Sequence, residues 1–465
     1  MQKLIPLLML ILAATYVAAD AIDDFVTARM KETKTPGLSL AIVQNGEVVR
    51  AKGYGYANIE LKAPATEETV YQSGSVGKQF TATAIMMLRD EGKLSLQDHI
   101  TKYFPDAPDT WKDITIRNLL THTSGLKEYT DMDLQKDRTE KDLEAFVEKP
   151  PLDFPTNSKF EYSNTNYLLL GYIIEKVTGK FYGDFLKERI WDPLGMTSTR
   201  VISESAIIPN RAAGYELDKN GNLMNQTWVA PTINTTADGA LYFSVLDLAK
   251  WDAALYTEKV LKRSSLQEMW TGTPQSMADY DGGYGYGWSM GYQRGHRIIQ
   301  HGGSWQGFRS QISRYVDDKL TVIVLLNQAW ASPGSIAHTV AGLYNDALLT
   351  PDRMKTKTDP DPVTTQGLRQ MLPGIAQPQP ADAKVVSSSF EAALSKDWRK
   401  TYSDSTQKMQ SLTFIDCDIQ DAGTKSPTGD PVDKLCYYKI TTDKEPIYCT
   451  AWITSQGKVS YLQFQ

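Results

Sequence analysis

Ser75 and Lys78 stand three residues apart in the stretch YQSGSVGKQFTATAIMMLRDEG, a spacing that puts both side chains on one helix face about one turn apart. A serine hydroxyl is a poor nucleophile at neutral pH until a neighbouring base takes its proton. A lysine can be that base only if burial or a nearby cation lowers its pKa from about 10.4. At the start of a helix the backbone N–H of Ser75 is one of the unpaired donors there, free to bind an oxyanion. Ser-x-x-Lys also occurs at Ser124/Lys127, Ser405/Lys408 and Ser455/Lys458, and most such pairs are solvated surface residues. Only Ser75/Lys78 opens a long apolar-faced helix and follows a glycine, Gly74, that permits a tight turn.

Two later clusters hold what that pair lacks. Tyr162-Ser163-Asn164 precedes an apolar helical run, NTNYLLLGYIIEKVTGK, so the Tyr162 hydroxyl can point into a cleft, where flanking cations would favour the phenolate and let it shuttle a proton. His301-Gly302-Gly303-Ser304 lies on a strand pattern. Its glycines would let a substrate backbone approach closely, and the N–H of Ser304 is a candidate second oxyanion donor. Each cluster alone has a plain structural reading, a packed tyrosine and a strand histidine.

The elements that must position these residues follow from periodicity. Phe80, Ala84, Met87 and Leu88 recur at three- and four-residue steps, which predicts an amphipathic helix stopped near Gly92. Asn45-Gly46 between two β-rich runs is a strong hairpin signal. From about Leu94 to Trp270 the pattern is helical and loop, with 127–160 read as a loop near the site. Strands return in HRIIQHGGSWQGFRSQISRY and KLTVIVLLNQ, and GSIAHTVAGLYNDALL reads as a closing helix. Strands at both ends of a helical middle predict one antiparallel sheet built from the two chain ends, with a helical subdomain inserted and the cleft between them.

Residues 351–385 are rich in Pro, Thr, Asp and Gln and read as a linker. Beyond it, 386–465 reads as a small α+β domain of one helix and four strands, loosely similar to a cystatin or nuclear-transport-factor type cone. All three cysteines, Cys417, Cys436 and Cys449, fall there. A meander turning near 426 and 443 would set Cys436 between the other two, so at most one bridge is expected, and it should involve Cys436. An oligomer contact through this domain is a further expectation.

A length of 465 residues implies two or three domains, and a net charge of −6 argues against nucleic acid as a partner. Residues 1–19 combine Lys3, an apolar run and a Val17-Ala18-Ala19 end, which reads as a cleaved secretory signal; the mature chain is expected to be periplasmic or secreted, with no membrane span. No metal or other cofactor is expected.

The ordered motifs Ser-x-x-Lys, Tyr-x-Asn and His-Gly-Gly, with ITIRNLLTHTSGL, YGYGWSM, Gly307-Phe308 and TVIVLLN, resemble the penicillin-recognising serine hydrolases over about residues 20–350. The likeness is to the class C β-lactamase branch, which includes DD-carboxypeptidases, D-aminopeptidases and lactamase-like esterases. The absence of a G-x-S-x-G elbow counts against an α/β-hydrolase fold. The resemblance implies an α/β plus all-α architecture of the β-lactamase/transpeptidase type. It implies Ser75 as acylated nucleophile, Lys78 as its proton acceptor and Tyr162 as general base and acid. It also implies Asn164 as a substrate-amide binder, with Ser75 and Ser304 as the oxyanion hole. β-Lactamases of this branch place a lysine where His301 stands, and a neutral imidazole offers no full charge to a carboxylate. The expected substrates are therefore uncharged esters, amides or D-residue peptides, with β-lactams or D-Ala-terminated peptides as the alternative. A non-catalytic sensor of cell-wall fragments is the other class, against which the complete Ser75, Lys78, Tyr162 set argues.

Overall fold

A computed structural model describes residues 20–148, 151–277, 280, 282–375, 384–394, 399 and 406–464. The secretory signal read at 1–19 lies outside the described residues. Two compact units result: one runs to Gly291 and resumes at Arg297–Tyr344, and the other holds Tyr292–His296 and everything from Asn345 on.

The larger unit is organised by an antiparallel sheet of seven strands: β1 (Gly37–Gln44), β2 (Glu47–Asn58), β3 (Ala63–Pro64), β4 (Ser289–Gln293), β5 (His296–Trp305), β6 (Phe308–Tyr315) and β7 (Leu320–Leu326), in the order β3-β2-β1-β7-β6-β5-β4. The β1–β2 turn is the one Asn45-Gly46 demands, with both residues at positive φ, 54° and 80°. Partners Leu38↔Leu326 through Gln44↔Leu320 join the beginning of the unit to its end. Every residue of β7, LTVIVLL, is buried, and that is why its sequence is a continuous apolar run and not an alternation.

Between β3 and β4 come the helices α1 (Lys78–Asp90), α2 (Ile116–Leu120), α3 (Glu140–Glu148), α4 (Asn164–Thr178), α5 (Val245–Ala254) and α6 (Arg263–Met269); α7 (Pro333–Tyr344) follows the sheet. The expectation of an amphipathic α1 needs correction, because every residue from Lys78 to Leu88 is buried. Its would-be polar face is covered, and most of its polar groups find partners inside the protein, Gln79 Nε2 being buried without one. Thr81 Oγ1 donates to the Ala237 carbonyl at 2.6 Å, Thr83 Oγ1 to the Gln79 carbonyl at 2.7 Å, and Gln79 Oε1 accepts from Trp251 Nε1 at 2.9 Å. The segment 127–160, read as a loop, contains α3. Leu143 and Val147, one turn apart, are buried, and Thr139 and Asp142 exchange capping hydrogen bonds at its start.

The smaller unit is a four-stranded antiparallel meander, β8 (Ser411–Ile419), β9 (Lys434–Thr441), β10 (Ile447–Ile453) and β11 (Val459–Phe464). Cys417 and Cys436 are directly opposite and disulfide-bonded. Cys449, expected on the far side of Cys436, instead faces Tyr438 and is a buried free thiol, because the β9–β10 turn sets the register two residues away from the one assumed. The linker reading of 351–385 also changes. Residues Pro362–Met371 form a helix, and Leu368, Leu372 and Ile375 are buried in the same apolar cluster as the sheet. Their i, i+4, i+7 spacing was obscured by the prolines around them. Of the helix expected in SSFEAALSKDWRKTYSDS, Ser388–Ala393 is helical; 395–398 and 400–405 lie outside the described residues.

Candidate active site

Ser75 sits in a 3₁₀ turn, Gly74–Gly77, that feeds directly into α1. Gly74 has φ +50, and a Cβ there would collide with the backbone nitrogen of Ser304. Only glycine lets this turn meet the far end of β5. The same contact recurs one residue on each side, since a Cβ on Gly303 would strike the Ser73 carbonyl. The closeness required of Gly303 is therefore to the protein's own backbone, not to a substrate's.

Lys78 is fully buried, and its ammonium group has three partners: Ser75 Oγ at 2.9 Å, Asn164 Oδ1 at 2.6 Å and the Asp238 carbonyl at 2.6 Å. Burial pulls its pKa down to about 8, against smaller upward pulls from the Asp238 and Glu128 carboxylates. A Lys78 that is neutral in part of the population near neutral pH can accept the serine proton.

Tyr162 comes just before α4, whose start also supplies Asn164; the Asn164 N–H donates to Glu128 Oε2 at 2.6 Å. The Tyr162 ring lies 5.0 Å from Lys78 Nζ. Its hydroxyl oxygen is buried with no geometrically sound hydrogen bond. The expected stabilisation of a phenolate is not what this environment provides: burial pushes the Tyr162 pKa well up, and the neighbouring Ser75 hydroxyl gives only a smaller opposing pull. Tyr162 is a neutral phenol here.

Ser75, Tyr162, Asn164 and Ser304 line one cleft of about 510 Å³, together with Trp305 and Asp238. His301 and Gly303 are not among its lining residues. His301 is buried on β5; its Nδ1 donates to the Gly302 carbonyl at 2.6 Å and its Nε2 accepts from the Tyr284 hydroxyl at 2.9 Å. Burial and the nearby Lys78 charge push its pKa down to about 4. Both nitrogens are thus engaged by the protein, and the ring is uncharged.

Two contributors, Asp238 and Glu128, carried no signal in the sequence: each is an isolated residue in a segment without a motif and acquires its place only through long-range folding. Tyr284 opens YGYGWSM, one of the segments that carry the resemblance, but only the fold shows its hydroxyl bonded to His301 Nε2. Tyr129, next to Glu128, donates to both Asp238 carboxylate oxygens at 3.2 Å, and burial raises the Asp238 pKa. Among the described residues no group of three or more His, Cys, Asp or Glu could hold a metal ion.

A family model described as Beta-lactamase matches residues 22–343. The chain belongs to the beta-lactamase family. Among its relatives, penicillin-binding protein 4* of Bacillus subtilis (strain 168) is 30% identical over 305 residues, covering 61% of this chain and 66% of that protein. This chain spans just under two thirds of the length of such relatives. Of solved structures, the octameric penicillin-binding protein homologue from Pyrococcus abyssi superposes with a TM-score of 0.64 at 26% identity, covering 94% of this chain and 97% of that one. The D-amino acid amidase from Ochrobactrum anthropi SV3 gives a TM-score of 0.62 at 28% identity, covering 72% and 97%. The fold of this chain is the β-lactamase/transpeptidase-like fold of that family, carrying a separate small C-terminal sheet domain, β8–β11.

Proposed function

We propose that this protein is a serine hydrolase that works through an acyl-enzyme on Ser75 and acts on uncharged esters, amides or D-residue peptides. The observation that carries the reading is the Lys78 ammonium group, buried, depressed in pKa and 2.9 Å from Ser75 Oγ. Lys78 takes the Ser75 proton as Oγ attacks the acyl carbon. The backbone N–H groups of Ser75 and Ser304 receive the developing oxyanion. Tyr162, a neutral phenol, gives its proton to the leaving group and is reprotonated from Lys78. Water then attacks the acyl-enzyme by the same route in reverse.

Substrate class rests on charge. The charged side chains lining the cleft among the described residues are Glu216 and Asp238, so a substrate carboxylate would meet like charge there with no lysine, arginine or histidine to pair with. Likeness to a D-amino acid amidase supports amides among the substrates. Location outside the cytoplasm is part of the proposal, supported by the leader-like sequence at 1–19 and by the Cys417–Cys436 disulfide.

The test is labelling with a fluorophosphonate and turnover of a panel of p-nitrophenyl esters, D-amino-acid amides and nitrocefin. Labelling that is lost in Ser75→Ala, with ester or amide turnover well above nitrocefin turnover, is the expected result. Undiminished labelling in Ser75→Ala would sink the mechanism, and efficient nitrocefin hydrolysis would sink the substrate class.

A further inference from the structure

His122 takes no part in the chemistry above, yet it is fully buried against the group proposed to move protons. Its ring stacks on that of Tyr162, with centroids 4.2 Å apart and planes 26° from parallel. Its Nδ1 accepts from the Ser163 backbone N–H at 3.2 Å and faces the Asn166 side-chain amide at 3.1 Å. Its backbone carbonyl accepts from the Glu161 N–H at 3.0 Å. The residues immediately before and after Tyr162 are therefore both tied to His122, while its ring bears on the face of the phenol.

The tautomer follows from these bonds. A backbone N–H can only donate, so Nδ1 is bare and the ring proton is on Nε2. That Nε2 is buried with no protein partner, an arrangement that is unfavourable for a polar group. Residue 122 also has φ +54, in the left-handed region that histidine enters more readily than most side chains and that bulky or branched ones avoid. An aliphatic residue would remove the unpartnered donor but also the acceptor and the flat face.

We infer that His122 is a positioning residue that fixes the Tyr162 phenol relative to Ser75 and Lys78. The inference rests on the proton-transfer role proposed for Tyr162. Burial and the Lys78 charge hold the His122 pKa well below its ordinary value, which keeps Nδ1 available as an acceptor. Two variants separate positioning from bulk structure. In His122→Asn, Oδ1 occupies the place of Nδ1 and asparagine tolerates the left-handed backbone. His122→Gln carries its amide oxygen one bond further out, beyond reach of the Ser163 N–H.

The experiment is steady-state kinetics on the best p-nitrophenyl ester with His122→Asn, His122→Gln and Tyr162→Phe, with circular dichroism to establish folding. Misplacing a reacting group by about 1 Å costs up to about 10²-fold. The expected result is accordingly a kcat lowered about 10- to 100-fold in His122→Gln, with KM within about threefold, and a kcat in His122→Asn restored most of the way to wild type. Equal kcat in the two folded variants, whether both high or both low, overturns the inference, as does a change confined to KM. If Tyr162→Phe turns over like the wild type, the role of Tyr162 falls and this inference with it. If Tyr162→Phe is inactive while His122→Gln is unaffected, only the inference falls.

Discussion

At Lys78, function and stability pull in opposite directions. The folded pKa of about 8 lies below the ordinary 10.5, so between these values the unfolded chain binds more protons and stability rises with pH; below about 8 the full penalty of burying the charge is present. Lys78→Met should therefore lose the ~10²–10⁴-fold that removal of a general base costs. Relief of the burial penalty in that variant is offset by the Asn164 Oδ1 and Asp238 carbonyl acceptors that methionine leaves unpartnered. The test of the penalty is therefore the wild type itself, whose stability in urea denaturation should rise from about pH 8 to about pH 10. A variant that keeps near-wild-type turnover would retire the proton-acceptor role. His301 makes the second residue-scale prediction. With a pKa of about 4 and both nitrogens bonded, it stays neutral at ordinary pH, so the ratio of ester to anionic-substrate turnover should not vary between about pH 5.5 and 8. A rise in anionic turnover through pH 6.5 would mean an ordinary, exposed imidazole. The sequence made Ser75, Lys78 and Tyr162 visible because their spacing from helix starts is local. It could not show that burial opposes a Tyr162 phenolate, since the rings packed on Tyr162, those of His122 and Tyr284, reach it only through folding.

The junction of the Gly74–Gly77 turn with β5 is what aligns the proposed nucleophile with the proposed oxyanion donors. Gly303→Ala would press a methyl group into the Ser73 carbonyl and Ser310 Oγ. We expect about 1–3 kcal/mol of destabilisation from the overpacking and up to about 10²-fold lower kcat from the displaced turn. Gly302→Ala meets nothing closer than the Gln311 side chain at 3.0 Å and serves as the control; equal effects at the two positions would argue against a backbone-to-backbone junction. Strand and hairpin signals were legible here because Asn45-Gly46 and the LTVIVLL run are local. The helix Pro362–Met371 was not, because its surrounding prolines and threonines carry the composition of a linker, while Leu368 within it and Leu372 and Ile375 just after it declare themselves only against the β8–β11 sheet.

Two compact units in one chain mean that stability need not be a single number. The Cys417–Cys436 bridge closes a loop of 19 residues wholly within the smaller unit, and a closure of that size stabilises by about 3 kcal/mol in the chain-entropy account. Reduction, or Cys417→Ala, should lower the calorimetric transition of the smaller unit and leave that of the larger one in place. Movement of both transitions together would show that the units unfold as one. Within the larger unit, α1 has no solvent-facing residue from Lys78 to Leu88, and this has a kinetic meaning. Amides so enclosed exchange with solvent deuterium only when the whole unit opens, whereas frayed and exposed segments exchange through local fluctuations. Residues 82–88 should thus be the last to take up deuterium. Ser75 is attached to that segment, so on heating the proposed activity should be lost together with global unfolding and not ahead of it.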